Sequence, residues 1–209
     1  GKMMLVRGLE GGLEMTIRQP SSNPLLEQYQ EDIDFTAFVP LQLDAILSDP
    51  LSALRFNALQ LVLVGGGPVS TKLKEQLQSF SPRVYATYGM TETVSHIALQ
   101  QLNGESPDAY FRVFPEVKIG TDPRGCLTID SILTNHKRLA TNDLVRIITP
   151  NSFQWLGRYD HVINTGGIKV AAEQLEYLIE SELQKENQVI KFIITSKKDT
   201  RFGEIIVMI

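Results

Sequence analysis

The segment LQLVLVGGGPVSTKLKEQL at 59–77 leaves the chain few ways to fold. Its apolar run reads as a buried strand, the glycines make a turn, and Ser70 opens a helix that carries Leu73 and Leu77 on one face. A second short strand, RVYATYG at 83–89, follows within a few residues. Return through a helix favours parallel pairing of the two strands in one sheet, by a right-handed crossover. Tyr88 then stands at the carboxyl end of a strand, where open α/β sheets hold ligands.

Beyond this unit the pattern changes twice. From 110 to 157 the short β-like runs EVKIG, GCLTID, DLVRII and FQWLG alternate with the turn signals DPRG, TND and PNS, which predicts an antiparallel β subdomain. After GRYD at 157–160 come VIN, TGG and IKV, a helix over about 171–184, and the apolar runs KFIIT and EIIVMI around a charged turn. These read as the start of a small α+β domain, so the expected fold class is α/β with α+β parts. The chain opens on GKMMLVRGLEGG without a capped start, and EIIVMI reads as an exposed, unpaired strand, a liability in a complete domain. A fragment is the expectation.

Composition narrows the function classes. A hydrophobic fraction of 43% and a charged fraction of 21% are ordinary for a folded chain. The net charge of −4, with no basic block, lacks the electrostatic footprint of a nucleic-acid binder. No apolar run approaches the ~20 residues that span a bilayer, and a signal-peptide order is missing, so a cytoplasmic location is expected. Cys126 is the single cysteine and reads as a small buried residue of CLTID. His96, His136 and His161 show no paired metal-ligand spacing, so zinc is not expected.

Four strings carry chemistry. YGMTETVSH at 88–96 puts an aromatic ring, a glycine, two threonine hydroxyls and a carboxylate within six residues. Tyr88 can stack on a purine, Thr91 can donate to phosphate oxygens, and Glu92 can supply a carboxylate to magnesium beside phosphates. By residues alone, a polar loop after a strand is the competing reading. In GGGP, Gly65, Gly66 and Gly67 strip the strand-to-helix turn of side chains, so a planar base can lie on backbone; taken alone, a plain tight turn is the better reading. In TND, Asp143 can accept from both hydroxyls of a ribose, or the triplet can be an Asx turn. GRYDHVINTGGIKV at 157–170 holds the planar fork of Arg158 and a glycine pair suited to a close-approaching loop, or to a hairpin turn.

Taken together these strings resemble the ATP-dependent acyl-CoA ligases of the adenylate-forming superfamily, across most of residues 60–180. The resemblance implies that residues 1–158 are the remainder of the large AMP-binding domain and 159–209 the start of a truncated small mobile domain. It implies that Thr91 and Glu92 are catalytic, with Glu92 also the magnesium ligand. Gly65, Gly66, Gly67 and Tyr88 would form the adenine pocket, Asp143 would bind the ribose, and Arg158 would reach ribose and phosphates. Asn142 stands where the family usually has glycine, and asparagine tolerates that turn. Asp160 would be the hinge, and Gly166 and Gly167 a loop bordering the pantetheine tunnel. Thr93, Ser95 and His96 would line the acyl pocket, although a lone histidine beside a strand is more often structural.

Within the family, TETVSHIALQQLNG, PRGCLTID and FQWLGRYDHVINTGGIKV are similar to the o-succinylbenzoate–CoA ligases of menaquinone synthesis. The implied reaction makes an acyl-adenylate from a carboxylate and MgATP, then passes the acyl group to CoA. The family's phosphate loop would precede residue 1 and its adenylation lysine would follow residue 209, so the fragment is expected to be inactive alone. Other acyl- or aryl-CoA ligases, peptide-synthetase adenylation domains and a non-catalytic nucleotide-binding module remain as alternatives. Oligomeric state stays open, a homodimer included.

Overall fold

The computed structural model describes residues 2–27, 32–186, 188 and 190–209. The chain divides into two units, Gly1–Asp108 and Ala109–Ile209. In the first, helix α1 (Lys2–Glu10) is followed by β1 (Phe35–Phe38), α2 (Pro40–Ser48), α3 (Pro50–Asn57), β2 (Leu61–Val64), α4 (Thr71–Leu77), β3 (Arg83–Gly89) and β4 (His96–Gln101). Strands β1, β2 and β3 are parallel neighbours, with Phe38 opposite Val64 and Val64 opposite Ala86, and β4 runs antiparallel to β3. The predicted strand–helix–strand unit is present, and Ser70 opens α4 by accepting from the Leu73 amide at 3.2 Å.

The elements before β2 have their own local causes. GLEGG stops α1: Gly12 lies at φ +60°, and the Leu13 amide reaches back to the Gly8 carbonyl at 2.9 Å, a Schellman closure. Pro40 and Pro50 begin α2 and α3, where a missing N–H costs nothing, and Asp49 caps α3 through the Ser52 amide at 2.8 Å. Leu43, Ile46, Phe56, Val62, Leu77, Val84 and Ile97 are fully buried, each contributing about 1.5–3 kcal/mol. Phe56 meets Phe80 edge to face at 5.3 Å.

The second unit holds two antiparallel sheets. Strands β5 (Phe111–Val113), β6 (Lys118–Thr121), β7 (Cys126–Asp130), β8 (Leu139–Thr149) and β9 (Ser152–Arg158) pair in the order β5-β9-β8-β7-β6. Strands β10 (Val162–Thr165), β11 (Ile168–Ala171), β12 (Ile194–Asp199) and β13 (Gly203–Met208) pair in the order β11-β10-β13-β12, with helix α5 (Ala172–Lys185) packing Ala172, Leu175 and Ile179 on Ile163 and Ile194. One expectation is corrected here. EIIVMI is no unpaired strand, because β13 lies between β10 and β12. Asp199 makes this fold-back by accepting the amides of Arg201 and Phe202, both at 2.8 Å. Cys126 is fully buried and its thiol is pushed up by that burial, as its reading as a packing residue requires.

Candidate functional site

Register puts the first two chemical strings side by side. Because β2 and β3 are parallel and in step, the Gly65–Gly67 turn and the Tyr88–Glu92 segment leave the sheet at the same end. Their approach is close: a Cβ on Gly65 would overlap the Thr87 hydroxyl on the neighbouring strand. Gly66 and Gly67 are exposed, so the turn offers bare backbone to solvent. Tyr88 shares the buried face of β3 with Val84 and Ala86, and only 9% of it is exposed. A stacked purine needs a side of the ring that this structure keeps covered.

The segment after Gly89 is a tight turn whose residues divide into two kinds. Thr91 and Glu92 are exposed, with hydroxyl and carboxylate open to a ligand. Thr93 is fully buried: its hydroxyl accepts from the Met90 amide at 3.0 Å and lies 2.8 Å from the Ser95 carbonyl. Expected on the acyl wall, Thr93 is placed as the pin of the loop itself. Val94 follows at φ 63°, ψ −47°, and the Ser95 amide reaches the Thr93 carbonyl at 2.6 Å. This is a γ-turn of positive φ, rare for any residue and costly for a β-branched one, by about 1–3 kcal/mol. Gly89 makes the turn feasible, since a Cβ there would overlap the Ser95 carbonyl and the His96 backbone.

Sequence reading missed a residue that meets this turn. Arg7 of α1 donates from Nη2 to Ser95 Oγ at 3.2 Å and to His96 Nδ1 at 3.0 Å. Among the described residues, no carboxylate pairs with Arg7, whose other contact is Met4 Sδ at 3.6 Å. Burial, and then the Arg7 charge, hold His96 below the ordinary histidine range. The result is a half-buried guanidinium steadied by neutral acceptors, with its charge unmatched.

The second unit carries the other predicted residues. Asp143 and Arg158 lie opposite each other on β8 and β9. Asp143 is 8% exposed and accepts from Trp155 Nε1 at 3.2 Å. Just before it in β8, Asn142 Oδ1 accepts from Arg124 at 2.9 Å and the Thr141 carbonyl does so at 2.8 Å. The Arg158 fork is engaged by Asp160, from Nε at 2.9 Å and Nη2 at 2.8 Å, and this pair lowers the Asp160 carboxyl to about 2. The predicted nucleotide contact and the predicted hinge thus bind each other. Gly166 and Gly167, at φ +57° and +84°, form the two-residue turn between β10 and β11. Among the described residues no cluster of three or more metal-ligating side chains occurs, and no helix is long and apolar enough to cross a membrane.

The sequence and the fold have counterparts. Residues 3–120 match the family of AMP-binding enzymes, so this chain belongs to that family. It is 25% identical over 217 residues to the 2-succinylbenzoate–CoA ligase of Escherichia coli (strain K12), covering 97% of this chain and 45% of that protein. Among solved structures, an acyl-CoA synthetase (AMP-forming)/AMP-acid ligase II-like protein from Dyadobacter fermentans superposes with TM-score 0.70 at 41% identity, over 99% of this chain and 59% of that one. E. coli MenE, with a bound m-phenylether-linked analogue of OSB-AMS, superposes with TM-score 0.74 at 21% identity, over all of this chain and 47% of that one. The chain spans about half the length of these relatives.

Proposed function

We propose that this chain supplies the nucleotide- and acyl-recognition part of an AMP-forming acid–thiol ligase, with an aromatic dicarboxylate such as o-succinylbenzoate as the acid. The reading rests on one arrangement: the bare Gly65–Gly67 turn and the exposed Thr91–Glu92 pair at one end of neighbouring parallel strands, followed by Ser95 and His96 on Arg7. Thr91 donates to phosphate oxygens of ATP as the carboxylate attacks the α-phosphorus and pyrophosphate leaves. Glu92 fits magnesium as a single exposed carboxylate, since the ion usually takes one or two carboxylates beside substrate phosphates. A magnesium ion held there would neutralise charge on the phosphates as the adenylyl group is transferred. Arg7 meets the second carboxylate of the acid, the unmatched charge that singles out a dicarboxylate from a monocarboxylate.

In the second unit, Asp143 holds the ribose and Arg158 the ribose and phosphates. Residues 159–209 form the start of the mobile domain, turning about Asp160, with Gly166 and Gly167 beside the pantetheine arm of CoA. The location is cytoplasmic. The test is ATP–pyrophosphate exchange by the full-length ligase containing these residues, across a panel of carboxylates. Exchange is expected with o-succinylbenzoate and to fall at least tenfold with benzoate, the size of one lost charge-assisted contact. Preference for an amino acid would move the assignment to a peptide-synthetase adenylation domain. Pyrophosphate release by the isolated 209-residue chain would refute its inactivity alone.

A further inference from the structure

Arg7 is held in an unusual way for a half-buried cation. Its Nη2 meets two neutral acceptors, Ser95 Oγ and His96 Nδ1, and among the described residues no carboxylate meets it. A guanidinium has no acceptor, so the His96 contact exists only with Nδ1 unprotonated and the ring proton on Nε2. Protonation of Nδ1 would set two donors against each other beside a fixed positive charge. Burial and Arg7 itself both keep His96 neutral. Two acceptors on a single terminal nitrogen also fix the rotation of the planar fork, which Ser95 alone would leave free to turn.

Resting on the dicarboxylate reading above, we infer that His96 is a positioning residue for substrate selection: its neutral ring, with Ser95, orients the Arg7 guanidinium so that its remaining N–H groups donate to the acid's second carboxylate. The role follows from acceptor geometry, because a carboxylate at position 96 would neutralise Arg7 and a donor would expel it. Neutral acceptors hold the fork and leave its charge for the ligand.

The experiment uses the full-length ligase containing these residues, with 15N-labelled histidine and arginine, titrated with o-succinylbenzoate and, separately, with 4-oxo-4-phenylbutanoate, which lacks the ring carboxylate. In the wild type, His96 is expected as the Nε2–H tautomer, and Arg7 side-chain signals move with o-succinylbenzoate and stay still with the monocarboxylate. His96→Asn, whose Oδ1 stands near the place of Nδ1, keeps the o-succinylbenzoate affinity within about twofold. His96→Leu weakens it by about tenfold, the loss expected for one hydrogen bond to a charged group. Arg7 signals indifferent to both acids overturn the dicarboxylate reading and the role built on it. A proton on Nδ1, or His96→Leu binding as tightly as wild type while Arg7 responds, overturns the role of His96 and leaves the dicarboxylate reading standing.

Discussion

Replacing Asn103 by leucine should unfasten β3 at its start, the opposite end of the strand from Tyr88 and Gly89. Asn103 is 3% exposed, and its Oδ1 accepts from the Val84 amide at 3.0 Å. Its Nδ2 lies 2.9 Å from the Pro82 carbonyl, 3.2 Å from that of Phe80 and 3.3 Å from that of Leu77. The side chain therefore ties the end of α4, the connection that follows it and the first residues of β3 to the segment after β4. Leucine keeps the volume and removes every one of these bonds. The Leu77 carbonyl retains the Phe80 amide at 3.1 Å, which leaves the Val84 amide and the Phe80 and Pro82 carbonyls to be counted. At about 1 kcal/mol each, the low end for buried groups left unpaired, the loss is about 3 kcal/mol. That is a large share of the roughly 5–15 kcal/mol that holds a typical domain. Urea unfolding followed by far-UV circular dichroism measures it: with a slope of about 1–3 kcal/mol per molar, the midpoint falls by at least about 1 M. Hydrogen exchange at the Val84 amide should lose its protection in step. A loss under about 0.5 kcal/mol, the level of an ordinary surface substitution, with Val84 still protected, would refute this account of Asn103.

Gly89→Ala drives a methyl into the Ser95 carbonyl and the His96 backbone, so the turn must open; in the proposed ligase, exchange activity should drop at least tenfold, and wild-type activity would show that the close approach is dispensable. Val94→Gly relieves the positive-φ strain and should raise stability by about 1 kcal/mol in thermal unfolding; a loss of that size would mean that Val94 is not strained. Because the Asp160 carboxyl is lowered from 3.8 to about 2, its pair with Arg158 contributes fully above 3.8 and disappears as pH falls through about 2. A carboxyl NMR titration of Asp160 should place its midpoint near 2, and a midpoint at 3.8 would mean that the fork is free in solution. Asp160→Asn frees Arg158, and AMP should then bind a few-fold more tightly, within the ~0.2–1 kcal/mol of an exposed ion pair.

Where the sequence was legible, the cause was local. The unit β2–α4–β3 announces itself because each element is set by its own residues: an apolar run, a glycine turn and a capped helix with two leucines one turn apart. The antiparallel strands after residue 110 were legible for the same reason, being cut at intervals by turn residues. The region before β2 was not, because α2 and α3 are only nine and eight residues long and their helical pattern is too brief to stand out. β4 was hidden behind the motif it follows. The end of the chain was misread because pairing, unlike apolar character, belongs to the partner strand as much as to the strand itself.

The candidate site divides along the same line. Residue types suited to nucleotide chemistry were visible in the strings at 65, 88, 143 and 158, whereas what each side chain already touches was not. The resemblance implies separate tasks for Arg158 and Asp160, yet two residues apart they close on each other in a bidentate pair, so Arg158 must leave it to turn its whole fork to a ligand. Thr91 and Thr93 are the same residue type in one hexapeptide, and nothing in their order tells them apart. The tight turn does: it directs one hydroxyl to solvent and folds the other onto the backbone of Met90 and Ser95. Arg7 lies 88 positions from Ser95 and 89 from His96, a contact with no local signal at all. The proposed nucleotide contacts are thus written in short strings that a reader can find, whereas the proposed acyl contact comes from a helix far back in the chain. If Arg7 sets substrate preference as proposed, that preference can change with a substitution in α1 while every recognisable string stays the same.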